Sequence, residues 1–178
     1  MAKKKPAAPE KKAVAAKTPV PAGPERLYTL DVVLLNGLLT EEFVKRNRKV
    51  SRTILIRGGQ TLEDLHLAIF AAFDRYDEHL YEFQFGKKPM DRNGPRYSMD
   101  SDEVFGEVPT GLVQETKLDM LGLTPKQQFF YWFDFGDDWW HTITVAAIES
   151  PVPPGQYPRV TNRVGESPPQ YPDLDEEE

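Results

Sequence analysis

The sequence predicts an α+β fold: an antiparallel sheet of about five strands, with one main helix packed on a face and a second short helix. Three observations predict it. Stretches rich in β-branched and aromatic residues alternate with turn signals, the segment from Leu62 to Phe73 repeats its apolar residues at helical spacing, and Thr116 to Leu121 ends on Gly122.

Each element has its own signal. Leu27 to Leu35 is a strand rich in Leu and Val, closed by the turn pair Asn36-Gly37, and Thr40 to Arg46 suits a short helical turn. Val50 to Arg57 is a second strand, stopped by Gly58-Gly59. Thr61-Leu62-Glu63-Asp64 then forms a capping box, in which the threonine oxygen accepts from the backbone three residues on and the acid reaches back. Behind it Leu62, Leu65, Ile69, Ala72 and Phe73 share one helical face.

Leu80 to Phe85 alternates Tyr81, Phe83 and Phe85 with Leu80, Glu82 and Gln84, the period of a half-buried strand. Gly86 to Gly111 is a long loop with a short strand near Arg96 to Met99, and Thr116 to Leu121 is the second, short helix. Gln128 to Phe135 and Trp139 to Ile148 form a hairpin around Gly136-Asp137-Asp138. Ser150 to Pro172 is proline-rich and is expected to be extended coil.

Composition sets the organisation around these elements. Residues 1–24 carry six lysines and one glutamate among Ala and Pro, too little apolar area to offset the entropy of ordering, and are expected to be a disordered tail. Residues 25–172 form a single domain, and 173–178 an acidic tip. The remaining 154 residues hold 16 basic and 27 acidic side chains, a net charge of −11 that repels phosphate backbones. Nucleic acid could therefore be held through the lysine-rich tail only.

The chain has no cysteine, which excludes disulfides, thiolate metal sites and thiol nucleophiles. The longest apolar run, Leu67 to Phe73, is far too short to span a membrane. A soluble, cytoplasmic protein that makes no membrane contact is expected.

Chemistry concentrates in Phe133-Asp134-Phe135-Gly136-Asp137-Asp138-Trp139-Trp140-His141. Asp134 lies among rings, where an unpaired carboxylate is costly, and Arg52, on the face of Ile54 and Ile56, is its expected partner, with Asp137 as the other choice. Asp137 and Asp138 suit a tight turn by themselves. They also suit a hard-cation site with Asp134 and His141, so a divalent metal is the one cofactor to consider, although no metal-ligand spacing is present.

His66 falls on the apolar stripe of its helix, His79 just ahead of an aromatic strand, and His141 on the inward face with Ile143 and Val145. Each suits either packing or a site. Alternation turns one set of rings outward, leaving Trp132 or Trp140 as an exposed contact for a partner. The cluster Lys45, Arg46, Arg48, Lys49 is the basic patch of the body.

Several of these motifs recur together in one family. Thr61-Leu62-x-x-Leu65-His66-x-x-Ile69-x-x-Ala72-Phe73, then His79-Leu80-Tyr81-x-Phe83, then Tyr131 to Ile143, and finally Gly165-x-x-Pro168-Pro169 resemble the plasmid pRiA4b ORF-3-like proteins, also known as passenger proteins of an insertion element. The resemblance spans residues 27–170. It implies an α+β domain and a link to mobile elements, and it brings no catalytic residues with it. Two places depart from the family's pattern: Val50-Ser51-Arg52 stands where many members have Trp-Arg-Arg, and Gln170-Tyr171-Pro172 where many have Glu-Asp and a glycine pair.

The functional expectation is a non-catalytic binding or interaction module with a groove near the hairpin, taking an unknown protein or small ligand. The candidate pocket is His66, His79, Asp134, Asp137, Asp138, His141, Arg52, Trp132 and Trp140. A metal-dependent hydrolase of the phosphoesterase or nuclease kind would use Asp134, Asp137, Asp138 and His141 as ligands, with His66 or His79 as base. An accessory nucleic-acid binder of a mobile element would use the tail.

Overall fold

The computed structural model describes residues 23–91, 93–101 and 108–173. The lysine-rich tail and the acidic tip therefore lie almost wholly outside the described residues.

One sheet organises the chain. Strand β1 (Leu27–Asn36) is central, pairing antiparallel with β2 (Ser51–Arg57) on one side and β7 (Trp139–Glu149) on the other. Strand β6 (Gln128–Phe133) folds back on β7, and β3 (Tyr81–Gln84) and β4 (Arg96–Ser98) continue the sheet. The two-residue β5 (Gly111–Leu112) runs parallel to β4, and β8 (Arg159–Val164) borders β2. The order is β5-β4-β3-β6-β7-β1-β2-β8.

This corrects the predicted fold class. Among the described residues the protein is sheet-rich, with one mixed sheet of eight strands and two short α-helices, and not an antiparallel sheet of about five strands beside a main helix. Two strands escaped prediction for physical reasons. β8 reads Arg-Val-Thr-Asn-Arg-Val and is mostly exposed, so it holds its place through backbone pairing without the alternation that marks a half-buried strand. β5 is too short to carry a pattern, and its parallel register makes the sheet mixed.

Helix α1 (Glu41–Arg46) is capped by Thr40, and α2 (Leu62–Ala72) carries the complete capping box between Thr61 and Asp64. Helix α2 buries Leu62, Leu65, His66, Ile69 and Ala72 against the sheet face that holds Tyr28, Leu30, Ile54, Phe83 and Tyr131. The expected helix at Thr116 is only a 3₁₀ turn, Leu118–Leu121. Thr116 does not cap it, because its hydroxyl donates to the Leu112 carbonyl instead. Gly122, at φ 63, ends the turn in the left-handed region.

The reverse face is also covered. Phe130, Trp132 and Trp140 form a second cluster with Phe135 folded over Trp132, so β3 is buried on both faces, Glu82 and Gln84 included. Among the described residues no helix is long and apolar enough to cross a membrane.

Candidate functional site

The site grows from the period of β6 and β7. Side chains alternate across a strand, so Tyr131, Phe133, Trp139 and His141 face α2, while Trp132 and Trp140 face the other way. The five residues between these strands turn on two left-handed aspartates, Asp134 and Asp138, both at φ 54. Asp134 Oδ1 accepts from the Gly136 and Asp137 amides at 3.1 and 3.3 Å, and Asp138 Oδ1 accepts from the Trp132 indole at 2.9 Å.

At this turn a polar cluster forms from three separate segments. His79 Nε2 lies 2.8 Å from the Tyr171 hydroxyl, 3.4 Å from Asp134 Oδ2 and 3.6 Å from Asp77 Oδ2. The Tyr171 hydroxyl donates to Asp77 at 2.7 Å, so it accepts from His79, which must carry a proton on Nε2. The Asp77 carboxylate pushes the Tyr171 phenol up to about 12, because the hydrogen bond favours the protonated hydroxyl. Asp137 is raised by burial and by the neighbouring Asp134 charge.

The segment Gly165 to Pro172, expected to be free coil, is a strap across the end of α2. Gln170 is 2% exposed; its Oε1 accepts from the Tyr76 and Asp77 amides, and its Nε2 donates to the Asp77 carbonyl. Ser167 donates to Asp74.

Arg52 serves this strap and not the hairpin, contrary to the predicted pairing with Asp134 or Asp137. Its guanidinium donates to the carbonyls of Ala72, Ser51, Val164 and Gly165 and to the Ser167 hydroxyl. The reason is geometric: four residues at the end of a helix leave their carbonyls without intrahelical donors, and Arg52 reaches one of them.

Behind the cluster lies a buried layer. His66 stacks on Tyr81, with ring centroids 3.6 Å apart, and its Nδ1 is bonded to the Tyr131 hydroxyl at 2.7 Å. Burial lowers its pKa to about 4, so it is a neutral imidazole at neutral pH. His141 lies 5.4 Å from the Tyr131 ring, and burial, reinforced by the Arg75 charge, lowers its pKa to about 3. The Tyr131 and Trp139 backbone groups near it weakly favour its charged form. Neither meets hydrogen-bond geometry, and both ring nitrogens lack a partner.

Arg75 is the residue the sequence did not single out. It is 7% exposed, and its guanidinium sits 3.6 Å from the centroid of the Trp139 ring. All three guanidinium nitrogens, the Trp139 indole nitrogen and both His141 nitrogens are buried without a hydrogen-bond partner. Its position straight after the aromatic helix end was the available signal, but one arginine in a polar loop has no period to mark it.

The predicted residues thus divide. His79 and Asp134 meet directly, and Asp137 and Asp138 shape the turn beside them. His66 and His141 are buried behind it, and Arg52 belongs to the strap. Trp132 and Trp140 are 5% and 7% exposed and stack on each other at 4.8 Å, so neither is the exposed contact that alternation alone suggested. Among the described residues no three or more His, Asp or Glu side chains are placed to hold a metal ion, so the set Asp134, Asp137, Asp138 and His141 does not form a centre. Lys45 and Arg46 spend their charges on Glu41 and Glu42.

A family model, the plasmid pRiA4b ORF-3-like protein, matches residues 40–172, which include α2, the hairpin and the strap. The chain belongs to that family. A crystal structure of a protein of unknown function, MM3350 from Methanosarcina mazei Go1, is similar over 79% of this chain and 71% of its own, at 25% identity and a TM-score of 0.59. No curated protein matches. Membership in the pRiA4b ORF-3-like family describes the fold of this site without assigning it a reaction.

Proposed function

We propose that this protein is a non-catalytic binding module whose ligand is held at the turn of the β6–β7 hairpin, between the His79 cluster and the buried side chains of Arg75, Trp139 and His141. One observation carries the reading: six buried polar atoms on three neighbouring side chains have no hydrogen-bond partner. An unmatched buried donor or acceptor costs about 1–3 kcal/mol, and more when charged, so such a group is the place where a ligand has most to contribute.

The hollow beside Phe135 measures about 30 Å³ and is lined by Leu80, Tyr81, Ser98, Met99 and Asp100, apart from Arg75, Trp139 and His141. A ligand would enter by displacing the strap, which bonds the Tyr76 and Asp77 amides beside Arg75 through Gln170, is tied further by Arg52 and Tyr171, and buries Pro168. A surface hollow of about 240 Å³ between α1 and Pro168-Pro169 lies away from the unpartnered groups and is a poorer seat. A cytoplasmic setting belongs to this proposal and agrees with a chain that has no cysteine.

A thermal-shift screen of acids, amines, sugars, nucleosides and short peptides, followed by calorimetry, tests the reading. At least one class should bind the wild type at one site per chain and lose affinity in Arg75→Met. Binding that is indifferent to this substitution, or no binding by any class, overturns it.

A further inference from the structure

We infer that the seat formed by Arg75, Trp139 and His141 takes a carboxylate, so that the ligand of the proposed binding module is a small carboxylic acid or the carboxyl terminus of a peptide. The inference rests on the binding-module reading and adds the chemistry of the ligand.

Counting donors gives the direction. A guanidinium offers five N–H groups and an indole one, and a neutral imidazole offers one donor and one acceptor. Arg75 and Trp139, with every side-chain polar atom unpartnered, thus present six donors and no acceptor, and His141, with the Tyr131 and Trp139 backbone groups beside it, adds one of each. A neutral ligand with balanced donors and acceptors would leave most of these unmatched. An acceptor-only group fits.

Charge points the same way. Arg75 is 7% exposed and makes no ion pair or hydrogen bond among the described residues, so its buried positive charge is compensated by the Trp139 ring face and by more distant charges and not by a bonded anion. Burial works against its charge, while Tyr131 and the Asp134 carboxylate favour the guanidinium form. Yet Asp134 is committed elsewhere, with Oδ1 on the Gly136 and Asp137 amides and Oδ2 turned to His79. His141 adds no charge of its own, being a buried neutral ring.

The surroundings choose among anions. Asp77, Asp134 and Asp137 lie around the outer cluster, and Asp74 begins the loop that carries Arg75. A doubly charged phosphate would meet all of this repulsion. A carboxylate carries one charge, and its planar pair of oxygens matches the guanidinium fork, whose central carbon sits 3.6 Å from the centroid of the Trp139 ring.

Calorimetry and thermal shift on the full chain test this with acetate, acetamide, inorganic phosphate, and one short peptide with either a free or an amidated carboxyl terminus. The wild type should bind acetate or the free-ended peptide in preference to the amide counterparts and phosphate, and the better of the two names the source. Arg75→Met should weaken that binding by roughly 10- to 100-fold, the loss of a charge-assisted pair. Arg75→Lys, which keeps the charge but not the fork, should weaken it less. Circular dichroism of both variants shows whether the fold persists.

Equal binding of acetamide and acetate overturns the carboxylate inference and leaves the binding module standing, whereas silence from every class in the broader screen removes both. If the wild type ignores carboxylates and Asp134→Asn acquires a response, Asp134 itself fills the seat in solution and the inference falls.

Discussion

Acidification should unfold this protein earlier than its carboxylates alone would require, because two buried histidines refuse a proton that the unfolded chain accepts. Burial holds His66 near 4 and His141 near 3, against about 6.5 in an unfolded chain. Where the folded pKa is depressed in this way, the full stability is present above about pH 6.5 and is lost as pH falls toward those lower values. Each histidine contributes a slope of about 1.4 kcal/mol per pH unit once the unfolded side chain is protonated and the native one is not. From pH 6.5 to 5.0 that amounts to about 2 kcal/mol for each, or about 4 kcal/mol together. Urea unfolding at pH 7.5 and 5.0, for the wild type and for His66→Gln with His141→Gln, isolates the effect. The comparison concerns the change with pH and not the starting stability, which the substitutions will alter. The wild type should lose about 4 kcal/mol more than the double variant over this interval. Equal losses would refute the claim that these two rings are buried in their neutral form.

Three further outcomes follow from named contacts. Thr61→Ala removes the hydroxyl that accepts from the Asp64 amide and should cost about 1 kcal/mol in denaturant unfolding. Arg52→Met strips donors from five acceptors, in the strap (Gly165, Ser167), at the end of α2 (Ala72) and in β2 and β8 (Ser51, Val164); it should cost about 3 kcal/mol and raise amide exchange in residues 165–171. Gly37→Ala would place a methyl 2.0 Å from the Trp139 ring and should lower stability by about 3 kcal/mol, read by thermal unfolding, with a change in tryptophan emission.

Local signals were the legible part of the fold. The capping box, the apolar stripe and the Phe73 boundary placed α2 within a residue, because all three depend on neighbours within one turn. The strands β1, β2, β3, β6 and β7 were legible for the same reason. What escaped was decided by distant partners. β8 is a strand because β2 offers it an open edge, and nothing in Arg159 to Val164 says so. Arg52 was placed on the correct face, but its partner depended on how the chain returns from β8 across α2. Trp132 or Trp140 was expected at the surface because a sheet was taken to have one wet side, whereas the two rings stack on each other and Phe135 folds back over Trp132. Of the site, the His79–Asp134 meeting lay within the motif text, while Tyr171 and Gln170 arrive from over 90 residues away in sequence.

The two borders of the sheet bear on how the molecule behaves in a crowded solution. An unpaired strand edge is a template on which another chain can grow, and aggregation starts there. At one border β5 offers just two residues, too few to seed a stable pairing. At the other, β8 is mostly exposed and carries Arg159 and Arg163, the latter 3.8 Å from Asp74 and donating to the Ala72 carbonyl. Among the described residues the broad sheet thereby ends in one stub and one exposed margin, and β8 is the border on which another strand could add.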